Sequence, residues 1–408
     1  MDDVKQAFEN GKLSWAAGKH AKLFDSGDAI AWYVFQANAY AAHREDCFEP
    51  EAFRIVPVFK RLGQLVPHLD LVGGAKDRAR LLMTTGRRQP DDGLFELLIA
   101  GTYKRHAWKD VAFVEERPGV ARTQDLFVSA PRRRWAVECK RVNRSGYEAD
   151  EFHRGKHLAS PIHELCKNRN SSLLVEVAYR VELSEIGDMY LQDRVEALLR
   201  ERSKDQWDDA ISYGRVREID WRLARTVLQH DDIFFGSSRM IELLAGSFDH
   251  HSDYSVAADW VPARKHPLHA TRIRQASVVR WLSTSPDAAW RKARHFRQMV
   301  ARAATQLPGD CPGVVHVGYE AQDGNSVDWL RHRLNRAEMR TFDPGQSRLR
   351  WVYGNYLSPE HTNARNESAA ISETTAAYKI GHHGTAEPLP SHLLFGDDPG
   401  TPGDHWRT

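Results

Sequence analysis

Asp125, Glu138 and Lys140 are the residues whose types and spacing could do chemistry. Asp125 precedes Glu138 by thirteen residues, about what two adjacent strands and a short turn need to bring both carboxylates to one end of a hairpin. Lys140 follows Glu138 by two. In a strand that spacing puts both on one face and turns Val137 and Cys139 into the opposite, apolar layer. Two carboxylates and a cation at one point suit phosphodiester hydrolysis, which uses oxygen ligands for a hard divalent ion and a positive group near the attacking water. The same residues also suit an ordinary ion pair on a solvated strand face.

The surrounding elements narrow the choice. Asp91-Asp92-Gly93 is a helix-start signal, and Leu94, Leu97, Leu98 and Tyr103 follow with helical recurrence up to Trp108; Glu96 lies on that helix. Val111 to Val114, Asp125 to Val128 and Trp135 to Lys140 read as three short strands. One helix followed by three strands, with Asp125 on the second and Glu138-x-Lys140 on the third, resembles the PD-(D/E)xK nuclease superfamily. The resemblance covers roughly residues 91 to 180. Gln124 stands where the family usually carries a proline that is not itself a ligand.

The resemblance implies an α/β fold with a restriction-endonuclease-like αβββαβ core, a mixed sheet flanked by helices. It implies Mg²⁺ or Mn²⁺ held by Asp125, Glu138 and the backbone carbonyl of Cys139. Lys140 would orient or deprotonate the attacking water, and Glu96 would hold a metal-bound water or a second ion. The activity implied is a divalent-metal-dependent nuclease in restriction, antiphage defence or repair. DNA comes ahead of RNA as substrate, and nothing in the residues separates the two. A homodimer and a partner protein from a defence system are further implied associations. The rival reading is a catalytically silent nuclease-fold module that binds nucleic acid or a partner protein.

At 408 residues with 41% hydrophobic and 10% aromatic side chains, the chain can bury more than one core. No stretch approaches the roughly 20 consecutive apolar residues of a membrane helix, and the start carries no charged-then-apolar leader pattern; residence in the cytoplasm is the expectation. Cys47, Cys139, Cys166 and Cys311 form no CxxC pair and read as buried thiols. A net charge of +2 does not by itself indicate a nucleic-acid binder. Locally, however, Arg132, Arg133, Arg134, Lys140, Arg141 and Arg144 face the single acid Glu138 within fourteen residues, an expected phosphate-binding environment beside the site. No GxxxxGK[ST] loop, GxGxxG fingerprint or GxSxG elbow occurs, which argues against ATP-driven translocation and serine hydrolysis.

Residues 1–90 read as an accessory helical region with no visible chemistry: Ser26-Gly27-Asp28 caps one helix, and Pro57 and Pro67 bracket an apolar segment. Residues 181–270 read as a linker or insertion, with an amphipathic helix from Met189 to Trp207 and a strand from Gly214 to Ile219. Two units could close the core sheet. The nearer, Ala159 to Asn168 followed by Ser172 to Ala178, is preferred because long insertions are the rarer case. The farther lies in the 271–380 α/β region: a helix from Asp287 to Gln306, then Gly313 to Tyr319. On that helix Ala289, Ala293, Phe296, Val300 and Ala303 form one stripe, with Arg291, Arg294, Gln298 and Arg302 opposite as a candidate substrate face. The pairs His250-His251 and His382-His383 have no companion ligands at useful spacing and read as loop residues. Glycines and prolines from Gly381 onward suggest a mobile tail over residues 381–408.

Overall fold

The computed structural model describes residues 2–16, 23–24, 26–43, 46–106, 108–115, 123–142, 146–201, 203–249, 252–320, 325–360, 370–389 and 394–396. It opens with helices α1 (Asp2–Ala16), α2 (Ala29–Ala42), α3 (Glu49–Leu69), α4 (Ala75–Met83) and α5 (Pro90–Arg105), followed by strands β1 (Asp110–Phe113), β2 (Leu126–Ala130) and β3 (Arg133–Val142). Next come α6 (Gly146–Arg169), β4 (Leu173–Tyr179), α7 (Tyr190–Arg200), β5 (Gln206–Asp208), β6 (Ser212–Glu218), α8 (Trp221–Leu228), β7 (Ile233–Phe234), α9 (Ser238–Ala245), β8 (Asp253–Pro262) and β9 (His269–Ser283). The chain continues with α10 (Pro286–Ala304), β10 (Gly313–Glu320), α11 (Asn325–Arg340), β11 (Leu349–Glu360) and β12 (Ala370–Lys379).

Local chemistry accounts for several helix starts. The Asp28 carboxylate accepts from Ala31 N–H at 3.2 Å to cap α2, and Ser285 Oγ accepts from Ala288 N–H at 3.3 Å to cap α10, with Pro286 at its first position. Pro57 and Pro67 do not bracket a segment as expected; both lie inside α3. The Asp91-Asp92-Gly93 signal does mark a helix start: Pro90 opens α5 and both acids lie in its first turn. Asp91 accepts from Arg54 and Tyr33, each at 3.0 Å. The helix expected to reach Trp207 stops at Arg200, and Trp207 lies in β5.

The protein is mixed α/β, with two mixed sheets flanked by helices. The first runs β1-β2-β3-β10-β11-β12; β10 is parallel to both β3 and β11, and the other neighbours are antiparallel. The second runs β5-β6-β4-β9-β7, with β8 also paired to β9. The preferred closing unit is therefore corrected: β4 belongs to the second sheet, and α10 with β10 supplies the strand beside β3. Of the two readings of residues 181–270, linker or insertion, the strand order fits the second: β5 to β8 fall between β3 and β10 in the chain and build the second sheet around β4 and β9.

Strand alternation divides the core around the first sheet. Trp135, Val137 and Cys139 pack with Leu94, Phe95 and Trp32 beneath α5 and the amino-terminal helices, whereas Ala136, Val142, Val315 and Val317 pack with Phe296 and Val300 of α10. The α10 stripe is thus its packing face. Each large side chain removed from water contributes on the order of 1.5–3 kcal/mol. All four cysteines are buried. The closing segment, expected to be mobile, is anchored where it is described: Leu394 is fully buried, Arg61 donates to the carbonyls of Leu394 and Gly396, and Trp108 donates to that of Pro388. Among the described residues no helix is long and apolar enough to cross a membrane.

Candidate active site

The site begins with how α5 is buried. Leu94 through Tyr103 are all buried, because α5 is covered by the sheet on one side and by α3 and α4 on the other. Glu96 therefore cannot face solvent; it is 7% exposed. Two glycines permit the close approach. A Cβ on Gly318 in β10 would lie 2.5 Å from the Phe95 ring, and one on Gly93 would lie 2.6 Å from Leu82 of α4. At the first the helix seats on the sheet; at the second α4 seats on the helix.

Asp125 immediately precedes β2. Its carbonyl accepts from Val114 N–H at 2.9 Å, and its carboxylate Oδ2 accepts from Cys139 N–H at 2.7 Å, which sets it beside β3 at the level of Glu138. Glu138 has no exposed surface, and Lys140, two residues on, donates to its Oε1. Burial rules out the solvated-face reading for Glu138. Glu138 Oε2 is also buried, and no hydrogen-bond donor meets it among the described residues.

A fifth residue enters from a region that showed no chemistry in the sequence. Arg78 of α4 donates through Nε to Glu96 Oε2, and its Nη2 lies 3.8 Å from Asp125 Oδ1. The Gly73–Gly74 turn positions α4: Gly73 N–H donates to Val111 carbonyl at 2.9 Å, Phe113 N–H donates to Gly73 carbonyl at 2.8 Å, and Gly74 adopts φ +76°. An arginine on a charged, amphipathic helix gives no local signal of such a role. Only the packing of α4 against the sheet edge reveals it.

The electrostatics follow from three acids crowded out of water. Burial, then the charge of Asp125, pushes Glu96 up to about 7 against the pull of Arg78. Burial, then Glu138, raises Asp125 to about 7, opposed by the Cys139 N–H and by Lys140. Glu138 is raised by burial despite Lys140. Burial pulls Lys140 down, but the Glu138 carboxylate against it lifts the ammonium above its ordinary value. Burial pushes the Cys139 thiol well up, so its side chain is no nucleophile. Asp92 is raised by burial and by Asp91, within the opposing field of Lys140 and Arg141.

The structure brings Glu96, Asp125, Glu138 and Lys140 together, with Cys139 contributing its N–H. The arginines divide. Arg133 and Arg134 open β3, so Glu138 lies roughly 13–17 Å farther along the strand. They and Arg132 are not beside the site, because a strand carries sequence neighbours apart. Arg133 instead lies over the Trp108 ring and Arg134 over Phe127. Arg291, Arg294 and Arg302 are all exposed, and Arg291 is paired with the buried Glu182 at 2.9 Å. Arg141, next to Lys140, borders a cavity shared with Asp91, Arg54 and Tyr33. Arg144 and His250-His251 lie outside the described residues; His383 is bonded to the Arg350 carbonyl. Compared with known proteins, the chain matches no family model, no curated protein and no solved structure.

Proposed function

We propose that this protein is a divalent-metal-dependent nuclease acting on DNA, with Asp125, Glu138 and Lys140 as its catalytic centre and Glu96 as an auxiliary acid. The observation that carries the reading is the buried carboxylate pair of Asp125 and Glu138, with Lys140 against one of them and Glu138 Oε2 left without a donor. A buried carboxylate oxygen without a partner is costly, and a cation shared with Asp125 Oδ1 would satisfy it. All-oxygen donors of this kind suit Mg²⁺ or Mn²⁺. Such an ion supplies Lewis-acid polarisation of a phosphodiester and a more acidic bound water. The succession α5, β1, β2, β3, α10 and parallel β10 supports an αβββαβ nuclease core interrupted between β3 and α10 by the second sheet.

The chain's own residues have separable tasks in this reading. Cys139 N–H fixes the Asp125 carboxylate through Oδ2, leaving Oδ1, with Arg78 Nη2 3.8 Å away, as the oxygen to face an ion. Lys140 opposes the upward pull that burial exerts on Glu138 and presents positive charge where charge grows on the phosphorus oxygens. Arg78 offsets the repulsion between Glu96 and Asp125. The rival reading, a nuclease-fold module that binds without cutting, draws on that same arginine, since it already neutralises part of the acidic cluster. Incubation with supercoiled plasmid, linear duplex, single-stranded DNA and RNA in Mg²⁺, Mn²⁺ or EDTA decides between them. Metal-dependent nicking of DNA that EDTA abolishes and Asp125→Asn or Glu138→Gln removes is expected. Intact substrate in every metal supports the silent module, and cleavage of RNA alone transfers the chemistry to the other nucleic acid.

A further inference from the structure

The second sheet gathers a different donor set, far from all-oxygen chemistry. Asp232 lies just ahead of β7, His266 lies in the turn ahead of β9, and His269 is the first residue of β9. His266 Nδ1 is 3.1 Å from Asp232 Oδ2, and His269 Nδ1 is 3.0 Å from Asp232 Oδ1. One ligand-capable atom from each of the three falls within 4.8 Å of the other two. Four-coordinate zinc, with bonds of about 2.0–2.1 Å, sets neighbouring ligand atoms about 3.3 Å apart. Each imidazole nitrogen lies a few tenths of an ångström inside that spacing from its own Asp232 oxygen, and all three ligand atoms stay within 4.8 Å, so ring rotations and a turn of the carboxylate would bring them round one ion.

The surroundings hold His269 in place. His269 N–H donates to the His266 carbonyl at 2.8 Å, and His269 stands opposite Phe234 in the β7–β9 ladder. The Phe234 ring meets His269 edge-on at 5.7 Å and touches Phe48, next to the amino-terminal helices, at 5.4 Å. The three side chains are 22–37% exposed, open enough for an ion and a water to enter. Two imidazoles and one carboxylate are the donors of a borderline-soft ion and not of Mg²⁺.

We propose that Asp232, His266 and His269 form a Zn²⁺ site with water as the fourth ligand, and that the ion staples β7 to β9. β7 has two residues and two rungs of ladder, Ile233 to Ala270 and Phe234 to His269. An ion joining Asp232 to His269 fixes that strand end, and with it the Phe234 contact to Phe48. The site is independent of the nuclease reading, and the controls keep the two apart.

Protein stripped with EDTA is titrated with ZnCl₂ by calorimetry, and retained zinc is counted after dialysis. The wild type and the Asp125→Asn/Glu138→Gln double variant are expected to take up one common equivalent. His266→Ala and Asp232→Asn are expected to lose it by on the order of 100-fold in affinity. At free Zn²⁺ 100 times the Kd, the thermal midpoint of the wild type rises by roughly 3 °C and that of His266→Ala does not. Two substitutions at different ligands guard against one failing to fold. No uptake by the wild type, or uptake unchanged in both ligand variants, overturns the site and leaves two histidines hydrogen-bonded to one carboxylate. Loss confined to Asp125→Asn/Glu138→Gln assigns the ion to the acidic cluster and also overturns it.

Discussion

Lys140 and Glu138 act as one unit, because the fully buried carboxylate has the partly exposed Lys140 ammonium as its ion-pair partner. Removing the ammonium leaves a fully buried acid uncompensated, so Lys140→Ala is expected to lose about 3 kcal/mol of metal-free stability in urea unfolding. Cleavage should fall by on the order of 10²-fold, the scale of losing a preorganised charge. A Lys140→Ala protein that cuts at the wild-type rate would remove the lysine from the mechanism. Arg78 poses the same question on the other side of the cluster. Arg78→Ala and Glu96→Gln should each destabilise, and the double substitution should cost less than the two added together, with a coupling of roughly 1–3 kcal/mol. Additive costs would show that the ion pair does not link α4 to α5 energetically.

At the scale of elements, α10 makes two sets of contacts, one with the first sheet and one with the second sheet's surroundings. Phe296, Val300 and Ala303 seat it against β3 and β10, while Lys292 meets Glu151 of α6 at 3.1 Å and Arg291 meets Glu182, so both tie it to the second sheet's helices and loops. That leaves Arg294 and Arg302 to test as the substrate-facing pair. Arg294→Glu/Arg302→Glu should weaken binding to every duplex alike and flatten the salt dependence by about one unit of log-log slope per lost phosphate contact. Arg291→Glu should instead lower the thermal midpoint, since it opposes a buried glutamate with a second acid. An unchanged salt slope in the Arg294/Arg302 variant would reduce that face to a solvated surface, normal for an amphipathic helix.

For the whole molecule, pH acts through groups buried in an uncharged state. His163 of α6 lies between Ser277 Oγ at 2.6 Å and Ser255 Oγ at 2.8 Å, where burial lowers its pKa to about 4. The unfolded chain, with histidine near 6.5, binds this proton first. The folded state is therefore penalised progressively as pH falls from about 6.5 to about 4, by roughly 3 kcal/mol in all. Glu96 and Asp125, raised to about 7, bind protons earlier in the folded state and work in the opposite sense over much of that range. The histidine's share is thus the difference between wild-type and His163→Gln unfolding free energies across pH 7 to 4. That difference should narrow toward acid, and a constant offset would show that His163 titrates normally.

The local sequence was enough to place the helix carrying Glu96, the strands around Asp125 and Glu138, and the common face of Glu138 and Lys140, because those features depend on periods of 3.6 and 2 residues that short segments carry themselves. Sequence distance misled wherever the chain runs extended or turns back on itself. Arg133 and Arg134 are close to Glu138 in number but at the other end of a strand, and the unit that closes the sheet lies beyond a whole second sheet. Arg78, the burial of Glu96 on every side, and the meeting of Asp232 with two histidines more than thirty residues away were decided only by tertiary packing. Such contacts depend on which surfaces the helices and sheets bury together, and no single segment encodes that.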